Sequence, residues 1–126
     1  MHVDAVGVLR AGMEVDAVVS FDGVLQSDPV PFPGGDTDFD SSVVAAPNTY
    51  SNSRIKVLVE NGHADTYVTP TSRAAWADEM DANGVDWVWH EHARTPHGFA
   101  LAPDICTKYT EHADRRSAQS MWSLSR

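Results

Sequence analysis

Cysteine, positive charge and long apolar runs are all scarce in this sequence. There is one cysteine, Cys106, so no intrachain disulfide forms and a reducing, cytoplasmic setting is expected. Only 9 Lys and Arg stand against 18 Asp and Glu, a net charge of −9. Nucleic acid and anionic lipid both ask for a basic face, so both partner classes are excluded. No apolar run approaches the roughly 18 residues that a membrane span needs. The start of the chain carries Asp4 and no cationic cluster, unlike a signal peptide. What is present, 42% hydrophobic and 21% charged residues in 126, suits one soluble folded domain spanning 1–126.

Apolar periodicity predicts six elements. Val3, Ala5, Val6 and Leu9 recur at near-helical spacing, and Gly12 supplies a stop. The run 15–21 is rich in β-branched residues and is ended by Asp22-Gly23, which reads as a strand buried on both faces. Residues 55–60 form a second such strand. Thr71-Ser72 can cap a helix over 72–82, with Ala75, Trp76 and Met80 on one face, acids 78, 79 and 81 on the other, and Asn83-Gly84 at its end. Residues 85–92 alternate Val and Trp with polar side chains, a third strand. A final helix over 108–124 can turn Tyr109, Ala113, Met121 and Trp122 to the sheet and Arg115-Arg116 to water.

Between the first two strands, 26–53 differ in composition. Pro29, Pro31, Pro33, Gly34-Gly35 and the acids Asp36, Asp38 and Asp40 make a long acidic loop. The alternating acids have the look of a calcium loop, but the Gly and closing Glu of that motif are missing, so no calcium is expected. The order of elements is that of an α/β protein with a parallel sheet. Sites in such sheets lie at the carboxyl ends of the strands, where Asp22, Asp65 and His97 all fall.

Two of these turns carry the chemistry. Asn61-Gly62-His63-Ala64-Asp65 follows one strand, and Thr95-Pro96-His97-Gly98-Phe99 follows the next. An acid and then a histidine in this position match the last two members of a nucleophile–histidine–acid triad. Asp65 would hold the imidazole tautomer, or else serve as a turn aspartate bonding its own backbone. His97 would be the general base, or else a surface histidine after a proline. No Gly-x-[Ser/Cys]-x-Gly elbow precedes Asp65. Cys106 sits in Pro103-Asp104-Ile105-Cys106-Thr107 with no glycine-flanked turn to activate it, and Ser20 and Ser41-Ser42 lack an elbow too. His90-x-His92 with His97 offers three imidazoles for zinc but no fourth ligand, so solvated strand-end histidines are expected and no metal.

These stretches resemble the dienelactone hydrolase family of α/β-hydrolases, over that family's C-terminal half. The resemblance runs through Arg10-Ala11-Gly12, the strand 15–21 with Gly23, and Asn61-Gly62-His63-Ala64-Asp65. It continues through Ala82-Asn83-Gly84-Val85-Asp86-Trp87, His97-Gly98-Phe99, and Tyr109 with Ala113-Asp114-Arg115-Arg116-Ser117. It implies a partial α/β-hydrolase sheet of about three parallel strands, with the N-terminal half of the fold missing. It also implies Asp65 and His97 as inherited triad acid and base, a small ester or lactone as substrate, and no cofactor. The family's nucleophile, usually a cysteine in Gly-x-Cys-x-Gly-Gly, has no counterpart, and Asp22 stands where relatives carry another polar residue. The expectation is therefore a truncated member, inactive alone. The alternatives are a fragment of a longer active hydrolase, or a non-catalytic interaction domain. The latter would use the acidic loop and the edge of strand 15–21, where Val15, Val18, Val19 and Phe21 invite self-association.

Overall fold

The computed structural model describes residues 9–10, 12–23, 55–104 and 107–124. The acidic loop at 26–53, Cys106 and all but the end of the first expected helix lie outside the described residues. The elements run β1 (Ala17–Phe21), β2 (Lys56–Gly62), α1 (Pro70–Ala82), β3 (Asp86–His92) and α2 (Glu111–Leu124). The three strands form one parallel sheet in the order β1-β2-β3. The α/β expectation holds, with strand ends within two residues of those read from the sequence.

Alternation along β2 explains how the sheet is covered. Val57 and Val59 point to one face and join Leu9, Val18, Ile55, Trp76, Met80 and Val85 in a buried core. Each such side chain contributes about 1.5–3 kcal/mol gross by leaving water. Trp76 anchors this layer, its ring 5.3 Å from those of both Trp87 and Trp89. Aromatic pairs of this edge-on kind add to burial through ring electrostatics. Against β1 and β2 lies α2, which buries Ala113 and Ser117, small residues that let its backbone approach the sheet.

Helix α1 starts at a reciprocal cap. Thr69 Oγ1 accepts from the Ser72 N–H at 3.1 Å, and Ser72 Oγ accepts from the Thr69 N–H at 3.1 Å. Pro70 occupies the first turn, where its missing N–H costs nothing. The cap thus lies two residues ahead of the expected Thr71-Ser72. At the other end Gly84 takes φ +67°, the left-handed turn that ends the helix. Gly12 does the same at φ +73°, donating its N–H to Leu9 O at 2.9 Å.

Several side chains depart from their expected faces. Glu79 does not face water with Asp78 and Asp81. It is 8% exposed and meets Arg10, 3% exposed, through two hydrogen bonds of 2.9 and 2.8 Å. A forked guanidinium can satisfy both carboxylate oxygens, which permits an acid on the buried side of α1. Trp122 does not face the sheet but is 67% exposed, and Tyr109 precedes α2 and donates its hydroxyl to Asp114 Oδ2 at 2.8 Å. Val18 is buried, and of the other side chains expected to be open along 15–21, Val15, Val19 and Phe21 are half-buried.

Candidate active site

The parallel register sets the site. Glu60 pairs with His90 and Gly62 with His92, so β2 and β3 end at one level and their turns leave side by side. The turns are then stitched together. His63 N–H donates to His92 O at 2.9 Å, and Ala64 N–H donates to Thr95 O at 3.0 Å. Thr95 is fully buried, its hydroxyl donating to Ala93 O at 3.0 Å.

This stitching brings Asp65 and His97 into contact. His97 Nδ1 lies 2.9 Å from Asp65 Oδ2. The Asp65 side chain is fully buried and the His97 side chain is 34% exposed. Asp65 Oδ1 accepts from the N–H groups of Tyr67, at 2.7 Å, and Val68, at 3.3 Å. The two readings of this aspartate are therefore not exclusive: one oxygen fixes its own turn and the other takes the imidazole. A carboxylate only accepts, so Nδ1 carries the proton and Nε2 is left as the basic nitrogen. Tyr67 packs on the imidazole, ring centres 4.9 Å apart. The Asp65 hydrogen bond raises the His97 pKa above its ordinary 6.5, against the opposing effect of burial.

Asp22 joins them from the end of β1. Its backbone is left-handed, φ 55°, a conformation that aspartate tolerates better than most residues. Its N–H donates to Glu60 O at 3.1 Å, which ties the end of β1 to β2. Burial pushes its carboxyl up to about 6, with Asp65 adding to the rise and His97 and the N–H groups of Ala100 and Gly98 opposing it. One ligand-type atom from each of Asp22, Asp65 and His97 lies within 4.8 Å of the others. Asp22 and His97 both line a cavity of about 490 Å³, walled by Phe21, Leu101, Ala118 and Met121. A base with a fixed tautomer thus faces a mostly apolar hollow.

The other histidines are arranged differently from the expected solvated pair. His90 Nδ1 meets Glu60 Oε1 at 2.9 Å, and His92 Nε2 meets Glu60 Oε2 at 2.6 Å. Glu60 is fully buried and His92 nearly so, with His92 against Phe99 at 5.5 Å between ring centres. His97 is not part of this group. The sequence reading missed Glu60, whose signal was a lone acid closing the apolar run Val57-Leu58-Val59. Glu91, on the opposite face of β3, takes His63 Nδ1 at 2.8 Å and pairs with Arg73. Burial opposes its charge, but those hydrogen bonds outweigh burial and hold its carboxyl below the usual range.

The backbone is similar to the crystal structure of a dienelactone hydrolase-like promiscuous phosphotriesterase from metagenomic libraries, with TM-score 0.67 and 24% identity. The match covers 93% of this chain and 44% of the phosphotriesterase chain. The fold is α/β-hydrolase-like. This chain spans less than half the length of that hydrolase. No protein-family model and no curated protein matches the sequence.

Proposed function

We propose that this chain is a dienelactone hydrolase-like protein, a single truncated domain that keeps the acid and the base of a nucleophile–histidine–acid triad without its nucleophile. The observation that carries this reading is the 2.9 Å contact of His97 Nδ1 with Asp65 Oδ2 at the carboxyl ends of neighbouring parallel strands. In that arrangement Asp65 holds the proton on Nδ1, Nε2 accepts a proton from the attacking group, and the acid stabilises the resulting imidazolium. The mostly apolar cavity beside His97 suits a small ester or lactone. A cytoplasmic location goes with this reading, on the ground of the single cysteine.

Loss of a triad nucleophile lowers kcat by about 10⁶ in a well-studied serine protease. The purified chain is therefore expected to show no turnover of activated aryl esters or dienelactone above buffer. Multiple turnovers abolished by Cys106→Ser would overturn the reading, because the thiol would then be the nucleophile. The same activity abolished by His97→Gln but not by Cys106→Ser would instead assign direct activation of water.

One observation favours a second reading, in which the chain works through association with another molecule or as part of a longer active hydrolase. Among the described residues β1 is paired on one side only. An edge strand of this kind offers unpaired backbone groups for a further strand. Sedimentation at tens of micromolar tests self-association, with Val19→Lys expected to shift an assembly towards monomer. A cooperative monomer in both proteins would remove it.

A further inference from the structure

We infer that Asp22, Asp65 and His97 together form a divalent-cation site, with zinc the best-suited ion. The inference shares two residues with the proposed acid–base pair but does not depend on it, since it needs only the three side chains and their spacing.

The geometry comes first. The candidate ligand atoms, one from each side chain, lie within 4.8 Å of one another. A tetrahedral zinc ion with bonds of about 2.0–2.2 Å places its ligand atoms roughly 3.4 Å apart. Asp65 Oδ2 and His97 Nδ1 stand 2.9 Å apart, so an ion bound between them replaces the Nδ1 proton and its hydrogen bond, and the neutral imidazole then carries its proton on Nε2. The donor chemistry agrees. Imidazole with two carboxylates suits zinc, and two negative charges balance a divalent ion.

The second observation is independent of the spacing. Asp22 Oδ1 is buried and has no hydrogen-bond donor, although the N–H groups of Gly98 and Ala100 act on the same carboxyl. Buried carboxylate oxygens are normally satisfied, and an exception calls for an explanation. This oxygen belongs to the side chain that completes the set with Asp65 and His97. Asp22 is also held for the purpose, since its left-handed backbone and its bond to Glu60 O fix where the carboxylate emerges. The cavity of about 490 Å³ that Asp22 and His97 line gives an ion a route in and leaves room for water in the remaining coordination position. Zinc held there uses the imidazole as a ligand, so occupancy and proton abstraction by His97 exclude one another.

The test is zinc binding to the full chain, by equilibrium dialysis and calorimetry after treatment with chelator. Wild type is expected to bind one zinc ion that is lost at least about tenfold more readily from Asp22→Asn and from His97→Gln. His90→Gln and Cys106→Ser are expected to bind as wild type does. Asn tolerates the left-handed conformation at position 22, so Asp22→Asn is expected to fold, which circular dichroism checks. Imidazole resonances of His97 should shift on zinc addition in wild type and not in Asp22→Asn. Absence of saturable binding overturns the inference. So does binding unaffected by Asp22→Asn, or lost with His90→Gln or Cys106→Ser instead. None of these readouts involves ester hydrolysis, so an inactive protein that binds zinc at Asp22, and an active one that does not, are separate outcomes.

Discussion

Gly62 lies directly against the backbone of Thr95. A Cβ at position 62 would fall 2.7 Å from the Thr95 carbonyl carbon and 2.9 Å from Pro96 O, closer than any real side chain approaches. The obstacle is backbone, which cannot swing aside as the tip of a side chain can. Gly62→Ala is therefore expected to push the His97 turn away from the Asp65 turn and to break the bond from Ala64 N–H to Thr95 O. The cost should be about 3 kcal/mol by urea denaturation, at the upper end of ordinary overpacking. Loss of the raised His97 pKa in the same variant would tie the damage to the site.

Asp65→Asn should lower the His97 pKa towards its ordinary value, because the Asp65 hydrogen bond is the largest cause of its elevation. A titration of the imidazole resonances of the metal-free chain checks this. The raised value also has a consequence for stability. Folding holds the His97 proton more tightly, so its contribution is complete below about pH 6.5 and is lost as pH rises through the folded value. Asp65→Asn should flatten that part of the profile.

Asp22 titrates with the same sign and a different cause. Its carboxyl rises from an ordinary 3.8 to about 6 on folding, chiefly through burial. The unfolded chain therefore releases this proton first, and stability falls as pH climbs from about 3.8 to about 6. Asp22→Asn removes that fall. In chelator at pH 8 the variant should be more stable than wild type by about 1 kcal/mol, allowing for solvent screening of a partly exposed group. At pH 4 the two should be nearly equal.

The Arg10–Glu79 pair is expected to be costly to break and cheap to replace. Glu79→Ala takes the two hydrogen bonds of its carboxylate away from a buried guanidinium, and breaking a buried pair costs about 3–5 kcal/mol in other proteins. The double variant Arg10→Met with Glu79→Leu should recover most of that loss. Thermal melts of the three proteins measure it, and an equal loss in both variants would show that packing, not charge, dominates.

The strands and the turns that bear Asp65 and His97 were legible because local pattern decides them. Val57-Leu58-Val59 and the Val/Trp alternation of β3 leave few other structures open, and a turn after each strand places Asp65 and His97. What was not legible depends on register and on tertiary neighbours. Glu60 bridges His90 and His92 only because the parallel pairing sets 60 opposite 90. Glu79 was assigned to water because the periodicity of α1 says nothing about Arg10 waiting on the buried side. Trp122 was assigned to the sheet on hydrophobicity, whereas α2 meets the sheet through its smallest residues. Asp22 was visible at a strand end, but its nearness to His97 appears only once three strand ends share one level.

The bond between Asp65 and His97, and the stitches that align their turns, are all made within residues 55–104. A single strand–helix–strand unit therefore holds the whole Asp65–His97 contact, and the hydrogen bonds that align it need nothing from β1. Substitutions in β1 can therefore accumulate without loosening the contact between this histidine and its acid.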